Sequence, residues 1–363
     1  MKIVVVGTRG IPHIQGGIET RCEELYPRLV KLGYDVTVVR RSPYVSSLNK
    51  ISEYKGVKLH DIYVPKKKSI EAILHTFLSI CYAKRVHADI LHIHAVGPSL
   101  LVPFARLLGL KVVMTHHGPD YDRKKWGNFA KLVLKMGERI GVRYSNQVIV
   151  ISEVINNILK TKYNYNRAYI IYNGVNIAQK SSQKDYIESL GIEDGKYIFT
   201  LGRFVQEKGF DGLIKSFLKA NIAGYKLVIA GDADHEDEYS LKLKQLATEH
   251  NIVLTGFIKG EKLNQLFTNA RLFILPSFHE GLPISLLEAM SYNLDVLVSD
   301  IPANIEIKLH KNDYFKCGNW DDLCSKLTQK LTTCAPSIQY NLKLYNWDRI
   351  AEQVKYVYQL IVK

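Results

Sequence analysis

Leu272-Phe273-Ile274-Leu275-Pro276-Ser277-Phe278-His279-Glu280-Gly281-Leu282-Pro283-Ile284-Ser285-Leu286-Leu287-Glu288-Ala289-Met290 joins an apolar run to a helix-spaced run through a proline- and glycine-punctuated loop. The apolar start reads as a strand over 272–276, since a strand buried on both faces needs no polar alternation. Pro283 suits the first turn of a helix, which the pattern carries to Tyr292. A strand that feeds a helix through a short loop is the repeating unit of a parallel sheet.

The same unit recurs along the chain. In the first half, strands are expected at 3–6, 35–39, 90–94, 111–115 and 147–151, with helices at 18–32, 70–86, 99–108 and 128–144. The second half restarts the pattern. Strands are expected at 197–201, 226–230, 252–255, 272–276 and 296–299, and helices at 210–220, 239–249, 261–269, 284–292 and 320–331. The fold class is therefore α/β: two Rossmann-like, doubly wound parallel-sheet domains facing a cleft. The turn-rich stretch Tyr172-Asn173-Gly174-Val175-Asn176 marks the join. Domains of 1–172 and 173–346 follow, and the helical pattern of 347–363 closes the chain, packing back on the first domain.

The 363 residues suit two domains, and a 47% hydrophobic content allows substantial cores. The apolar run at Ile3–Val6 stops at Gly7, too soon for a signal peptide, and no apolar stretch reaches the roughly 20 residues of a spanning helix. A cytoplasmic protein is expected, at most peripheral on the inner face of the cell membrane. Five scattered cysteines without a CxxC pair suggest neither a zinc site nor a disulfide framework. The net charge of +14 gathers in the first half, at Arg40-Arg41, Lys66-Lys67-Lys68, Arg123-Lys124-Lys125 and Arg139/Arg143. With Tyr121 and Trp126 nearby, this charge suits an anionic membrane surface as well as a solvated face. No nucleic-acid-binding module is present, so nucleic acid is not an expected partner.

In doubly wound sheets ligands bind beyond the carboxyl ends of the strands, and the polar motifs fall there. Gly16-Gly17-Ile18-Glu19 opens a helix, where glycines permit close backbone approach and helix N–H groups attract anions. His92 and His94 share one strand face, and His116 and His117 end the next strand. No carboxylate or cysteine stands beside them at ligand spacing, which favours a polar active-site role for one or two over a metal site. Arg203 and Lys208 share a loop after a strand and can both reach a diphosphate. Backbone N–H groups of Gly281, Leu282 and Ile284 would face a phosphate, while Glu288 could accept from a ribose diol and Glu280 from sugar hydroxyls. Asp232-Ala233-Asp234 has a metal-binding DxD pattern, but sits at a polar turn beside a solvated acidic run.

Together these motifs resemble the retaining glycosyltransferases of family 4, whose two-Rossmann fold is called GT-B. Glu280 and Glu288 fit the family's E-x7-E element, Arg203 and Lys208 its phosphate-binding pair, and His117 the histidine beside the reacting sugar. The resemblance runs from Gly16-Gly17-Ile18-Glu19 to Asn346-Trp347-Asp348. Segments 115–126 and 299–304 are similar to a bacterial subset that includes rhamnosyltransferases of surface-polysaccharide assembly. Tyr292-Asn293-Leu294-Asp295 departs from the small residue, glycine and proline usual before that strand.

The resemblance implies transfer from a nucleotide-diphosphate sugar to a glycan or lipid-linked acceptor, with retention of anomeric configuration. No cofactor and no metal are implied. His117, Glu280, Arg203 and Lys208 would be catalytic. Arg203, Lys208, Glu280, Gly281, Leu282, Pro283, Ile284, Ser285 and Glu288 would bind the donor, and Gly16, Gly17 and Glu19 would border the acceptor. Two other readings are open: a nucleotide-sugar epimerase of the same two-domain plan, and a non-catalytic basic binding protein.

Overall fold

The computed structural model describes residues 1–47, 49–66, 71–122, 126–334 and 338–362. Lys67, Lys68, Arg123-Lys124-Lys125, Ile70 at the expected start of the second helix, and Lys363 lie outside the described residues. The chain divides into two compact units, one of Met1–Gly174 with Tyr345–Lys363, the other of Val175–Leu344.

In the first unit β1 (Lys2–Val6), β2 (Asp35–Arg41), β3 (Glu53–Tyr54), β4 (Val57–Ile62), β5 (Ile90–His94), β6 (Lys111–His116), β7 (Gln147–Val150) and β8 (Tyr169–Ile170) form one sheet. Their order is β3-β4-β2-β1-β5-β6-β7-β8, parallel except for the β3–β4 hairpin. Alternate side chains of β1 feed opposite faces. Ile3 and Val5 pack with Cys22, Leu25 and Tyr26 of the helix Gly17–Lys31 and with the closing helix Trp347–Val362. Val4 and Val6 pack with Ile80 and Ala83 of the helix Glu71–Arg85. This two-sided cover explains why the central strands are continuous apolar runs.

In the second unit β9 (Tyr197–Leu201), β10 (Lys226–Ala230), β11 (Val253–Gly256), β12 (Leu272–Leu275), β13 (Val296–Ser299) and β14 (Tyr314–Phe315) pair parallel in the order β11-β10-β9-β12-β13-β14. The strand order reverses between β1 and β5 in one sheet and between β9 and β12 in the other. These are the topological switch points, where the loops beyond the strands splay apart and admit a ligand.

Some elements differ from the sequence expectation. Residues 99–108 split into a 3-10 turn, Pro98–Leu101, and a helix, Val102–Leu107, because Pro103 fits a helix's first turn but not its interior. The strand expected to run through Pro276 ends at Leu275. Strands β3, β4, β8 and β14 and the helices Glu153–Tyr163, Asp185–Ser189 and Pro302–Ile305 were not anticipated.

Candidate active site

In the second unit the loops after β9 and β12 lie against each other. Gly209 holds a left-handed φ of 65°, and a Cβ there would collide with the Pro276 carbonyl oxygen. Phe278 N donates to Glu207 O at 2.8 Å, a backbone tie between the loops. This closeness sets Lys208 Nζ 2.6 Å from Glu280 Oε1, which also accepts from Ser277 Oγ at 2.6 Å. Beneath them Ser299 Oγ donates to Ser277 O, and Asn304 Nδ2 to Ser299 O, so the shelf that carries Glu280 is braced from two further elements. Burial would raise the Glu280 carboxyl, but the Lys208 ammonium and the Ser277 hydroxyl hold it below its ordinary value.

Arg203 does not share a partner with Lys208: its Nη1 pairs with Asp234 Oδ2 at 2.9 Å. Lys244 pairs with Asp232 at 2.9 Å, so both carboxylates of Asp232-Ala233-Asp234 meet a cation. Gly281 and Leu282 precede Pro283, the N-cap of the helix Ile284–Ser291, whose first N–H groups lack helical acceptors. Ser285 and Glu288 lie half-buried on that helix.

In the first unit Gly16 has φ 143°, and a Cβ there would strike Glu19 Oε2. Glu19 is 4% exposed and turned inward. Its Oε1 accepts from Arg9 N at 3.1 Å, Arg9 Nε at 3.3 Å and Thr8 Oγ1 at 3.2 Å, so it fastens the loop after β1. Gly17 is exposed, and nothing lies within 4 Å of a Cβ built on it. The space beside its backbone is open to a ligand.

His117, half-buried, ends a buried chain of hydrogen-bonded groups. Its Nε2 lies 2.8 Å from His94 Nδ1, and His94 Nε2 lies 2.6 Å from the Tyr26 hydroxyl. Tyr26 and Tyr358 both reach His92 Nδ1, at 3.1 and 2.6 Å, and His92 Nε2 meets Thr115 Oγ1 at 2.7 Å. Burial pushes His92, His94 and His117 well below the ordinary histidine value, and the Arg21 cation adds to the effect. Arg21 is itself fully buried and lowered by burial to about 10; its Nη1 donates to Tyr172 O at 2.7 Å and to Asn173 Oδ1 at 2.9 Å.

Residues 15–179 match the family model described as Glycosyltransferase Family 4, and residues 182–333 the one described as Glycosyl transferases group 1. The chain is a glycosyltransferase of the GT-B fold. It is 26% identical to an uncharacterized glycosyltransferase of Methanocaldococcus jannaschii, covering 100% of this chain and 99% of that one. It is 24% identical to the capsular polysaccharide biosynthesis glycosyltransferase CapH of Staphylococcus aureus, over 95% of each. The structure of Anabaena HepE, in complex with UDP and glucose, matches with a TM-score of 0.81 at 16% identity, over 99% of this chain and 100% of that one.

The glycosyltransferase fixes His116 differently from its neighbour. Gly118 N donates to His116 Nδ1 at 3.0 Å, so the ring proton sits on Nε2, which faces Glu138 Oε1 at 2.7 Å. The hydroxyls of Tyr121 and Tyr163 also donate to Glu138. His116 thus holds the loop after β6 in place and leaves His117 as the histidine at its edge. Sequence reasoning placed the loops but missed Thr8, Arg9, Tyr26, His94, Tyr358, Ser277 and Asp234 as the groups that hold these side chains. The polar character of 8–9 and the strand-alternate His92/His94 pair were the available signals.

Proposed function

We propose that this glycosyltransferase moves a sugar from a nucleoside-diphosphate donor to a glycan or lipid-linked acceptor in surface-polysaccharide assembly, with retention and without a metal ion. The observation that carries the reading is the Lys208–Glu280 contact at the switch point of the second unit. It sets a cation and a carboxylate side by side beyond the strand ends, suited to a sugar diphosphate. The name of the S. aureus relative supports a polysaccharide setting, and the UDP-bound HepE structure a nucleotide-sugar donor.

In this reading the bond from the anomeric carbon to the β-phosphate oxygen breaks, and its electron pair leaves with the nucleoside diphosphate. Lys208, Arg203 and the free N–H groups at the start of the helix Ile284–Ser291 stabilise that charge, a preorganised electrostatic role. Glu280 and Glu288 accept hydrogen bonds from sugar and ribose hydroxyls. The acceptor hydroxyl attacks the same face of the sugar and gives its proton to the departing phosphate. His117 orients the donor sugar, while Gly16 and Gly17 border the acceptor and Glu19 holds their loop. The Lys244 and Arg203 pairings of Asp232 and Asp234 support a metal-free reading, because those carboxylates are already charge-balanced.

The epimerase alternative is not favoured by the glycosyltransferase family models or by the relatives. Proton NMR of the reaction tests the proposal. It expects an acceptor-dependent product whose new linkage has the donor's anomeric configuration; an inverted linkage, or donor isomerised without acceptor, overturns it.

A further inference from the structure

The helix Asn128–Tyr144 carries an apolar stripe on its solvent face. Phe129 is 80% exposed, Leu132 56% and Met136 47%, and their spacing of three and four residues puts them on one stripe. The exposed positions beside them hold Lys135, Arg139 and Arg143, and the helix's one carboxylate, Glu138, is fully buried. Among the described residues none of Lys131, Lys135, Arg139 and Arg143 makes an ion pair. Some surface lysines of other helices are matched, as Lys242 with Glu238 and Lys355 with Glu352.

The apolar stripe is not surplus core. The inward side of the helix packs closely at two glycines: a Cβ on Gly137 would collide with the Val96 carbonyl oxygen, and one on Gly141 with Met114 and Ser99. That fit leaves Phe129, Leu132 and Met136 facing outward. A contiguous apolar stripe flanked by cations that meet no carboxylate, Lys135 and Arg143 lying instead over the Tyr121 and Tyr144 rings, is the make-up of a helix lying in a lipid interface.

We infer that this face docks on an anionic lipid bilayer. The apolar side chains would enter the headgroup boundary while the cations meet lipid phosphates. The helix follows β6 and runs antiparallel to it, so Phe129 and Leu132 lie toward the carboxyl edge of the first sheet, the edge that carries His117 and the Gly16–Gly17 loop. Docking would bring that edge to a lipid-borne acceptor. No described helix is long and apolar enough to cross a membrane.

The inference stands on this face alone and not on the transfer reaction. Vesicle sedimentation of the full chain tests it, comparing pure phosphatidylcholine with vesicles holding roughly 30% phosphatidylglycerol. The wild type is expected to pellet with the anionic vesicles and to release as salt screens the charge. The triple variant Phe129→Ser, Leu132→Ser, Met136→Ser and the variant Lys135→Ser, Arg139→Ser, Arg143→Ser are each expected to bind about tenfold or more weakly. Circular dichroism and nucleoside-diphosphate affinity of both should match wild type, since these residues lie outside the site. Equal pelleting by the variants, no wild-type binding, or a dimer that the same substitutions dissolve would overturn it.

Discussion

Lys208 Nζ and Glu280 Oε1 meet at 2.6 Å although 72 residues separate them in the chain. Both are largely shielded from water, so the pair is an internal constraint on two loops as well as a charge arrangement. Glu280→Gln keeps the shape and removes the charge. It is expected to preserve the fold while transfer falls by about a hundredfold, read in a product assay beside circular dichroism. Lys208→Ala leaves the carboxylate without its cation and should lower stability by about 2 kcal/mol, measured by urea unfolding.

Gly16 and Gly17 separate structure from function. Gly16→Ala meets both a left-handed φ and the Glu19 carboxylate, and should cost about 1–3 kcal/mol of stability. Gly17→Ala meets nothing and should leave Tm unchanged. If an acceptor approaches this backbone, Gly17→Ala will still raise the acceptor KM, and an unaltered KM would remove the acceptor from this loop.

The bonds from Tyr26 through His94 fix the ring of His117. Tyr26→Phe and His94→Gln should therefore lower kcat by about ten- to hundredfold through misplacement. Nucleoside-diphosphate affinity, which the proposed mechanism assigns to the second unit, should be unchanged. A parallel loss of that affinity would contradict the assignment.

Acid should loosen the two units in sequence. His92, His94 and His117 sit well below their ordinary value of 6.5, and burial lowers His75 to about 3. As pH falls below about 6.5 the unfolded chain binds protons that the folded first unit does not, so its stability drops by up to about 1.4 kcal/mol per pH unit for each histidine. In the second unit Glu280 is held below its ordinary 4.5, so its contribution is present above that pH and is lost as pH falls through the lowered value. Hydrogen exchange at pH 7.5 and 5.5 should show protection lost first in the first unit.

The central strands could be read from sequence because burial on both faces demands uninterrupted apolar runs, as in Ile3–Val6 and Leu272–Leu275. The hairpin of β3 and β4 could not, because it lies at the sheet edge and carries Lys58, His60 and Asp61; its only signal was Gly56 in the Lys55-Gly56 turn. The helix Glu153–Tyr163 does carry end signals, an N-cap at Ser152 and a left-handed Asn164. At the site, residue types and loops were legible because each motif follows a strand. Pairings were not: nothing local says that Arg203 turns to Asp234 or that Glu19 turns inward to Thr8 and Arg9.

Calorimetric titration of UDP, GDP, dTDP and ADP into wild type and Lys208→Ala, with and without EDTA, tests the metal-free phosphate site. Selective binding of one nucleotide by wild type, weakened about tenfold or more in the variant, is the predicted result. Equal affinity in the two proteins, or binding that EDTA abolishes, would contradict a metal-free phosphate site built on Lys208.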